Sequence, residues 1–463
     1  MRKILAGLAA AILLATLPAC SGDGPDYTWL RTIHTVRDAP ALRARFENYV
    51  FLETMPFGTS TTERIQSLLK ENGNSTVLTL NYITPDNTVS DDLLTLEVPV
   101  EQDSISTVIF TGTFDDIQPI VVVQPRRPRP LDRIYFQFVH ATPELGALDV
   151  YVTAPDVDLS ATAPVATIQP LGQSESLETF FGATRIRLTQ SGTLDVVMDT
   201  GEVEFAEVED TTGPGSDWLM AVTPSVAAGP SPVFLLANSG RGSRSLFDAD
   251  TPAVTRAIHA AAGVGLVDLE SLTEPVEILV DDLAFGARSA RVPAPEGSIA
   301  LAFRAADAPE EPLATIAATT VRGAEYVAAL LNAESGGAIV LETVNSRSVV
   351  TEGRFRFAHL AAAGDLVSVH LTTSEEEAPS FDNRIFFNQP PGLFTPPITV
   401  VPGEYFLTLT TRPVDDPAND EDPILVGPLP FSVAGGDVFT LALFPSEVEG
   451  EPETLQIFDE TLP

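Results

Sequence analysis

The chain has 463 residues, 64 acidic and 26 basic, for a net charge of −38. So acidic a surface excludes nucleic acid and anionic membrane surfaces as electrostatic partners, and a hydrophobic content of 44% excludes a disordered acidic tail. With Cys20 as the single cysteine, no disulfide and no cysteine zinc site can form within the chain.

In chain order, Arg2 and Lys3 precede an apolar run from Ile4 to Leu17, too short for a permanent membrane-spanning helix. The run leads into Leu17-Pro18-Ala19-Cys20, which resembles the lipobox of bacterial lipoproteins. The resemblance implies a signal peptide over 1–19, lipidation of Cys20 and a lipidated tether over 20–26. Ser21 stands where an inner-membrane retention signal would place Asp, so the expected location is the cell envelope, lipid-anchored in the outer membrane.

From residue 27 the chain repeats itself. Leu30-Arg-Thr-Ile-His34, Phe136-Gln-Phe-Val-His140, Thr255-Arg-Ala-Ile-His259 and Arg356-Phe-Ala-His359 carry histidines 106, 119 and 100 residues apart. The repeat divides the chain into modules at 27–131, 132–250, 251–352 and 353–463. Each module closes on two apolar runs around a short polar stretch, a β-hairpin pattern. These pairs are Ser106–Phe110 with Ile120–Val123, Trp218–Val222 with Val233–Leu236, Tyr326–Leu330 with Ala338–Leu341, and Val438–Ala442 with Leu455–Phe458. Phe57-Gly58, Leu171-Gly172 and Phe285-Gly286 share one station in mid-module, and a glycine turn then introduces a strand, as at Gly192 and Gly403.

Short strands at regular spacing, with 38 Pro and 31 Gly, predict an all-β chain of four tandem immunoglobulin-like β-sandwich modules. One segment has a competing helical pattern. Ser60-Thr-Thr-Glu63 has the form of a capping box, and Ile65, Leu68 and Leu69 would share a helix face. The proline-rich stretch Gln124–Pro130 predicts a stiff linker, and the short gaps at Asp248–Pro252 and Ser348–Gly353 predict a semi-rigid rod.

Module two carries a family resemblance. Phe138-Val-His140-Ala-Thr-Pro143, followed by Leu148-Asp149-Val150-Tyr151-Val152, resembles the motif of a bacterial extracytoplasmic family, the domain of unknown function numbered 4397. Module three keeps His259 and Leu266-Val-Asp268, module four keeps His359 and Leu366-Val-Ser-Val-His370, and module one keeps His34 and Asp38-Ala-Pro40. The resemblance implies immunoglobulin-like sandwiches at the envelope and brings no catalytic residues with it.

The remaining candidates are weighed on their chemistry. His34, His140, His259 and His359 sit one to a module, and only module four adds a second, His370, so each site offers too few ligands for metal. His140 and His359 share strand parity with Phe136, Phe138, Phe355 and Phe357, which points them inward, to bond loop backbone. The acidic runs Asp415–Asp422 and Glu375–Glu377 with Asp382 read either as solvated loops or as calcium ligands. Ser67-Leu-Leu-Lys70 spells Ser-x-x-Lys without its companion motifs. Arg126, Arg127, Arg129 and Arg133 could meet an anionic glycan or neighbouring acidic surface.

The sequence therefore leads to a non-catalytic envelope lipoprotein acting in adhesion, scaffolding or cell-envelope organisation. No cofactor and no metal site are expected. The expected partners are the membrane through Cys20 and an envelope protein or glycan, with no nucleic acid. The alternative is a ligand-capture lipoprotein binding calcium or a glycan through the loops at the sandwich ends.

Overall fold

The computed structural model describes residues 27–461, apart from 48, 51–53, 62–63, 68–73, 128–132, 180, 206–216, 240–241, 334–335, 362–363, 414–421 and 449–450. The signal peptide, Cys20 and the tether lie outside the described residues. The described chain is all-β, with one 3₁₀ turn at Leu159–Ala161 and eight sheets.

The sheets follow one plan. In module one, Tyr27–His34 runs parallel to Ser104–Thr113, which turns back antiparallel into Asp116–Pro125. Gly112, at φ +87°, is required in that hairpin, because a Cβ there would collide with the Asp116 carbonyl oxygen. The second sheet orders Tyr49–Val50, Leu42–Phe46, Ser75–Tyr82 and Leu94–Pro99. The parallel pair recurs as Ile134–His140 with Asp217–Pro224, Ala253–Ala260 with Glu325–Ala333, and Gly353–His359 with Val438–Phe444. In each, the repeated histidine faces an apolar residue of the neighbouring strand: Phe110, Val222, Leu330 or Leu443. All four predicted closing pairs are antiparallel hairpins.

Of the helical pattern at Ser60–Leu69, Thr62, Glu63, Leu68 and Leu69 lie outside the described residues, and the described part is strand. Arg64–Ser67 is a strand, paired antiparallel with Tyr27–Leu30. The other modules fill the same edge with Leu177–Thr179, Val292–Ala294 and Ile398–Val400. The open edge of the first strand needs hydrogen-bond partners, and pairing with it outweighs the local capping pattern.

Each module has its own core between its two sheets. Phe136, Phe138, Leu148, Val150, Ile186 and Leu188 pack together in module two, and corresponding sets fill the other three. Two further clusters lie between modules. Ile33, Ile109, Ile120 and Val122 of module one pack against Val139, Ala141, Leu219, Ala221, Phe234 and Leu236 of module two. Ile258, Ala260, Val327, Ala329 and Leu331 of module three pack against Ala358, Leu360, Phe394, Ala442 and Phe444 of module four.

The sheets holding the repeated histidines are thus covered on both faces, and each module pair is a four-layer stack. Their strands are buried almost continuously, as Ser104–Phe110 and Ala253–Ala260 are, whereas outer strands such as Val196–Phe205 alternate. Where the short linkers predict a semi-rigid rod, the structure packs module one on two and module three on four face to face.

The two stacks also touch. Arg347, near the end of module three, donates from Nη1 to the carbonyls of Arg37 and Ala39 in module one, both at 2.7 Å. The Val350 amide donates to the Asp38 carbonyl at 3.0 Å. Gly323 of module three lies so close to the Phe247 ring of module two that a Cβ would come within 2.9 Å of it.

Candidate functional site: the histidine station and the paired sheets

The repeated histidine is the last residue of the first strand in modules one, two and four and the last but one in module three, where the chain must leave the sheet. In three modules its ring closes the following loop with the same two bonds. His34 contacts the Pro40 carbonyl through Nε2 at 3.0 Å and accepts the Val36 amide at Nδ1 at 3.2 Å. His140 does so with Gly146 and Thr142 at 3.0 and 3.4 Å, and His259 with Gly265 and Ala261 at 2.9 and 3.3 Å. An amide donating to Nδ1 and a carbonyl facing Nε2 require the neutral ring protonated at Nε2. The histidine carbonyls accept in turn from the amides of Gly58, Leu171 and Gly286, the mid-module station of the sequence, and in module four from Gly392.

Module four departs from the pattern. His359 bonds the Gln389 carbonyl through Nδ1 at 3.1 Å, and its buried Nε2 has no partner among the described residues. His370 donates from Nδ1 to Asn383 Oδ1 and accepts from Thr410 at Nε2, both at 3.1 Å. Burial pushes the His34 imidazole down to about 3, with the Arg347 charge adding to the effect. Desolvation also lowers His140, His359 and His370.

The four imidazoles are not brought together, since each belongs to its own sandwich. Among the described residues the one group of three potential ligands is Asp268, Asp281 and Asp282, and it contains no histidine. The negative charges of Asp282 and Asp268 raise the Asp281 carboxyl above its usual range. In module two the motif aspartate is engaged internally: Asp149 accepts from Thr167, Ser191 and the Gly192 amide at 2.5, 3.1 and 2.8 Å.

The other face of the same strands carries a feature that sequence reasoning missed. Three residues before the histidine stands an arginine in modules one, three and four, on the opposite strand face and so between the paired sheets. Arg31 donates to Thr107 and Gln124 at 3.1 and 3.2 Å. Arg356 donates to Thr440 at 3.1 Å and to the Thr343 carbonyl at 3.3 Å. Arg256 pairs with Glu325 at 3.1 Å and with Glu460. Arg288 joins Glu460 at 2.8 Å and Arg291 joins Glu325 at 2.9 Å, so Glu460, itself fully buried, ties module four to module three. A cleft of about 360 Å³ opens beside this network, with Glu342, Arg354, Arg356, Phe394 and Glu460 in its walls. The repeated Arg-x-x-His spacing was the available signal.

Arg126 stacks on Trp29 at 4.0 Å, Arg127 pairs with Asp217 at 2.8 Å, and Arg133 pairs with Glu178. Arg129 lies outside the described residues, as do Leu68–Lys70 and Asp415–Glu421. Glu375–Glu377 and Asp382 are exposed.

Residues 28–151 match the sequence profile of the family described as Domain of unknown function (DUF4397). The matched stretch covers module one and ends at Tyr151, within the module-two motif where the sequence showed its clearest likeness. No curated protein matches. One similar solved structure is a family 26 carbohydrate-binding module from Eubacterium rectale in complex with maltoheptaose. It shares 13% identity, over 42% of this chain and 91% of that one, with a TM-score of 0.14. At that score the likeness bears on neither fold nor ligand.

Proposed function

We propose that this chain is a non-catalytic, lipid-anchored envelope protein that acts by binding and spacing, in adhesion, scaffolding or cell-envelope organisation. One observation carries the reading. Three of the four repeated imidazoles are fully engaged inside the fold, His34, His140 and His259 being bonded at both ring nitrogens to loop backbone. A ring so held offers neither a base nor a ligand lone pair.

The test has two arms. Cys20→Ser should move the protein from the membrane fraction to the soluble fraction, and unchanged fractionation would remove the anchor. Protease added to intact and to lysed cells, probed for module four, then separates a surface adhesin from a periplasmic scaffold. Turnover of simple ester, peptide or glycoside substrates by the purified protein would overturn the non-catalytic reading.

A further inference from the structure

Module four carries an exposed aromatic surface built from an edge strand and the loop before it. The strand Arg384–Gln389 is the edge of its outer sheet, paired on one side with Leu366–Thr372. Phe386 points into the core, so Phe387 points out and is 55% exposed. The register then shifts: Val369 faces Phe386, but His370 faces Arg384, leaving Ile385 as an extra residue. Such a bulge re-aims the side chain beyond it. Here it sets Arg384 on the outward face beside Phe387, with its guanidinium 4.1 Å from that ring.

The preceding loop supplies the second ring. Asn383 accepts the Ser380 amide at 2.8 Å and donates to Glu377 and to the Ala378 carbonyl at 3.1 and 3.0 Å. The buried His370 holds the same Asn383 from below. The loop so pinned presents Phe381 at 81% exposure, the highest of any large apolar side chain among the described residues, 5.1 Å from the Arg384 guanidinium. Glu375, Glu376 and Asp382 stand exposed in the same loop.

We propose that this Phe–Arg–Phe surface docks a basic, extended segment of a partner protein. With Phe381 81% and Phe387 55% exposed, the ring faces turned away from Arg384 can receive the cationic heads and methylene stems of partner Arg or Lys. The loop carboxylates give those heads ion-pair acceptors, and the net charge of −38 favours the same sign of partner. No strand among the described residues pairs with the outer side of Arg384–Gln389, which leaves an edge for an extended chain to lie along, although Gln389 Nε2 already donates to the Phe387 carbonyl at 2.7 Å. The proposal deepens the binding role given above and rests on it. The two fail separately, because fractionation and protease accessibility do not depend on these rings.

The experiment measures fluorescence anisotropy of a labelled alternating Arg-Val decapeptide titrated with the mature full chain at physiological ionic strength. An alternating Glu-Val peptide is the control. The Arg-Val peptide should bind, and Phe381→Ala with Phe387→Ala should weaken it about ten-fold, two cation–π contacts being lost, at an unchanged melting temperature. Equal affinity for wild type and the double variant would assign the attraction to overall charge and overturn the proposal. Absence of Arg-Val binding, or equal binding of the Glu-Val peptide, would overturn it as well.

Discussion

His34 loses its environment when it gains a proton. Its folded-state pKa near 3 lies below the ordinary 6.5, so between those values the unfolded chain binds more protons than the native one. The stability His34 contributes is fully present above pH 6.5 and is lost as pH falls toward 3, at up to about 1.4 kcal/mol per pH unit. Urea denaturation between pH 7 and pH 4 should show that loss, and His34→Gln should flatten the slope while starting from lower stability at pH 7. His140 and His359 are shifted the same way and steepen the acid limb. A separate substitution, His140→Ala, leaves the Thr142 amide and the Gly146 carbonyl without their ring partner. The expected cost is about 2–4 kcal/mol, read as a fall in melting temperature, and an unchanged value would contradict the role given to the ring.

At the scale of strands, much was legible and one signal was passed over. The closing hairpins and the inward histidine parity followed from apolar runs and period-two alternation. Yet Trp218-Leu-Met-Ala-Val222 and Tyr326-Val-Ala-Ala-Leu330 are apolar at consecutive positions. Consecutive apolar residues mark a strand covered on both faces, and that was the trace of sheet-on-sheet pairing. The strand at Arg64–Ser67 was obscured for the opposite reason, since its local residues suit a helix cap and only the distant edge at Tyr27–Leu30 makes it β. The Glu460 network was illegible because its members are up to 204 residues apart. Glu460→Ala would strip a buried carboxylate from Arg256 and Arg288 and should destabilise the module three–four pair by about 3–5 kcal/mol. Thermal unfolding of the variant checks this, and a change within about 0.5 kcal/mol, the usual range for a surface substitution, would show that the network does not hold the pair.

For the whole molecule, the sequence repeat has a period of one module, whereas the packing has a period of two. Pairing covers the inner sheets and leaves the outer sheets and loops as the surface available to partners. Arg347 bridges the two stacks through carbonyls of module one. Arg347→Ala removes these bonds but leaves the Val350–Asp38 bond, so it should loosen the coupling of the two stacks and broaden or split their calorimetric transition while leaving each stack folded; a single unchanged transition would assign the coupling elsewhere. Within its pair, module four covers Ile258, Val327, Ala329 and Leu331 of module three, which module three alone would expose. Equilibrium urea unfolding of residues 251–463 beside residues 251–352 alone tests that dependence. Pairing predicts one cooperative transition for the longer chain and a markedly destabilised or self-associating shorter one. A shorter chain that stays monomeric and unfolds at the same urea concentration as the pair would contradict it.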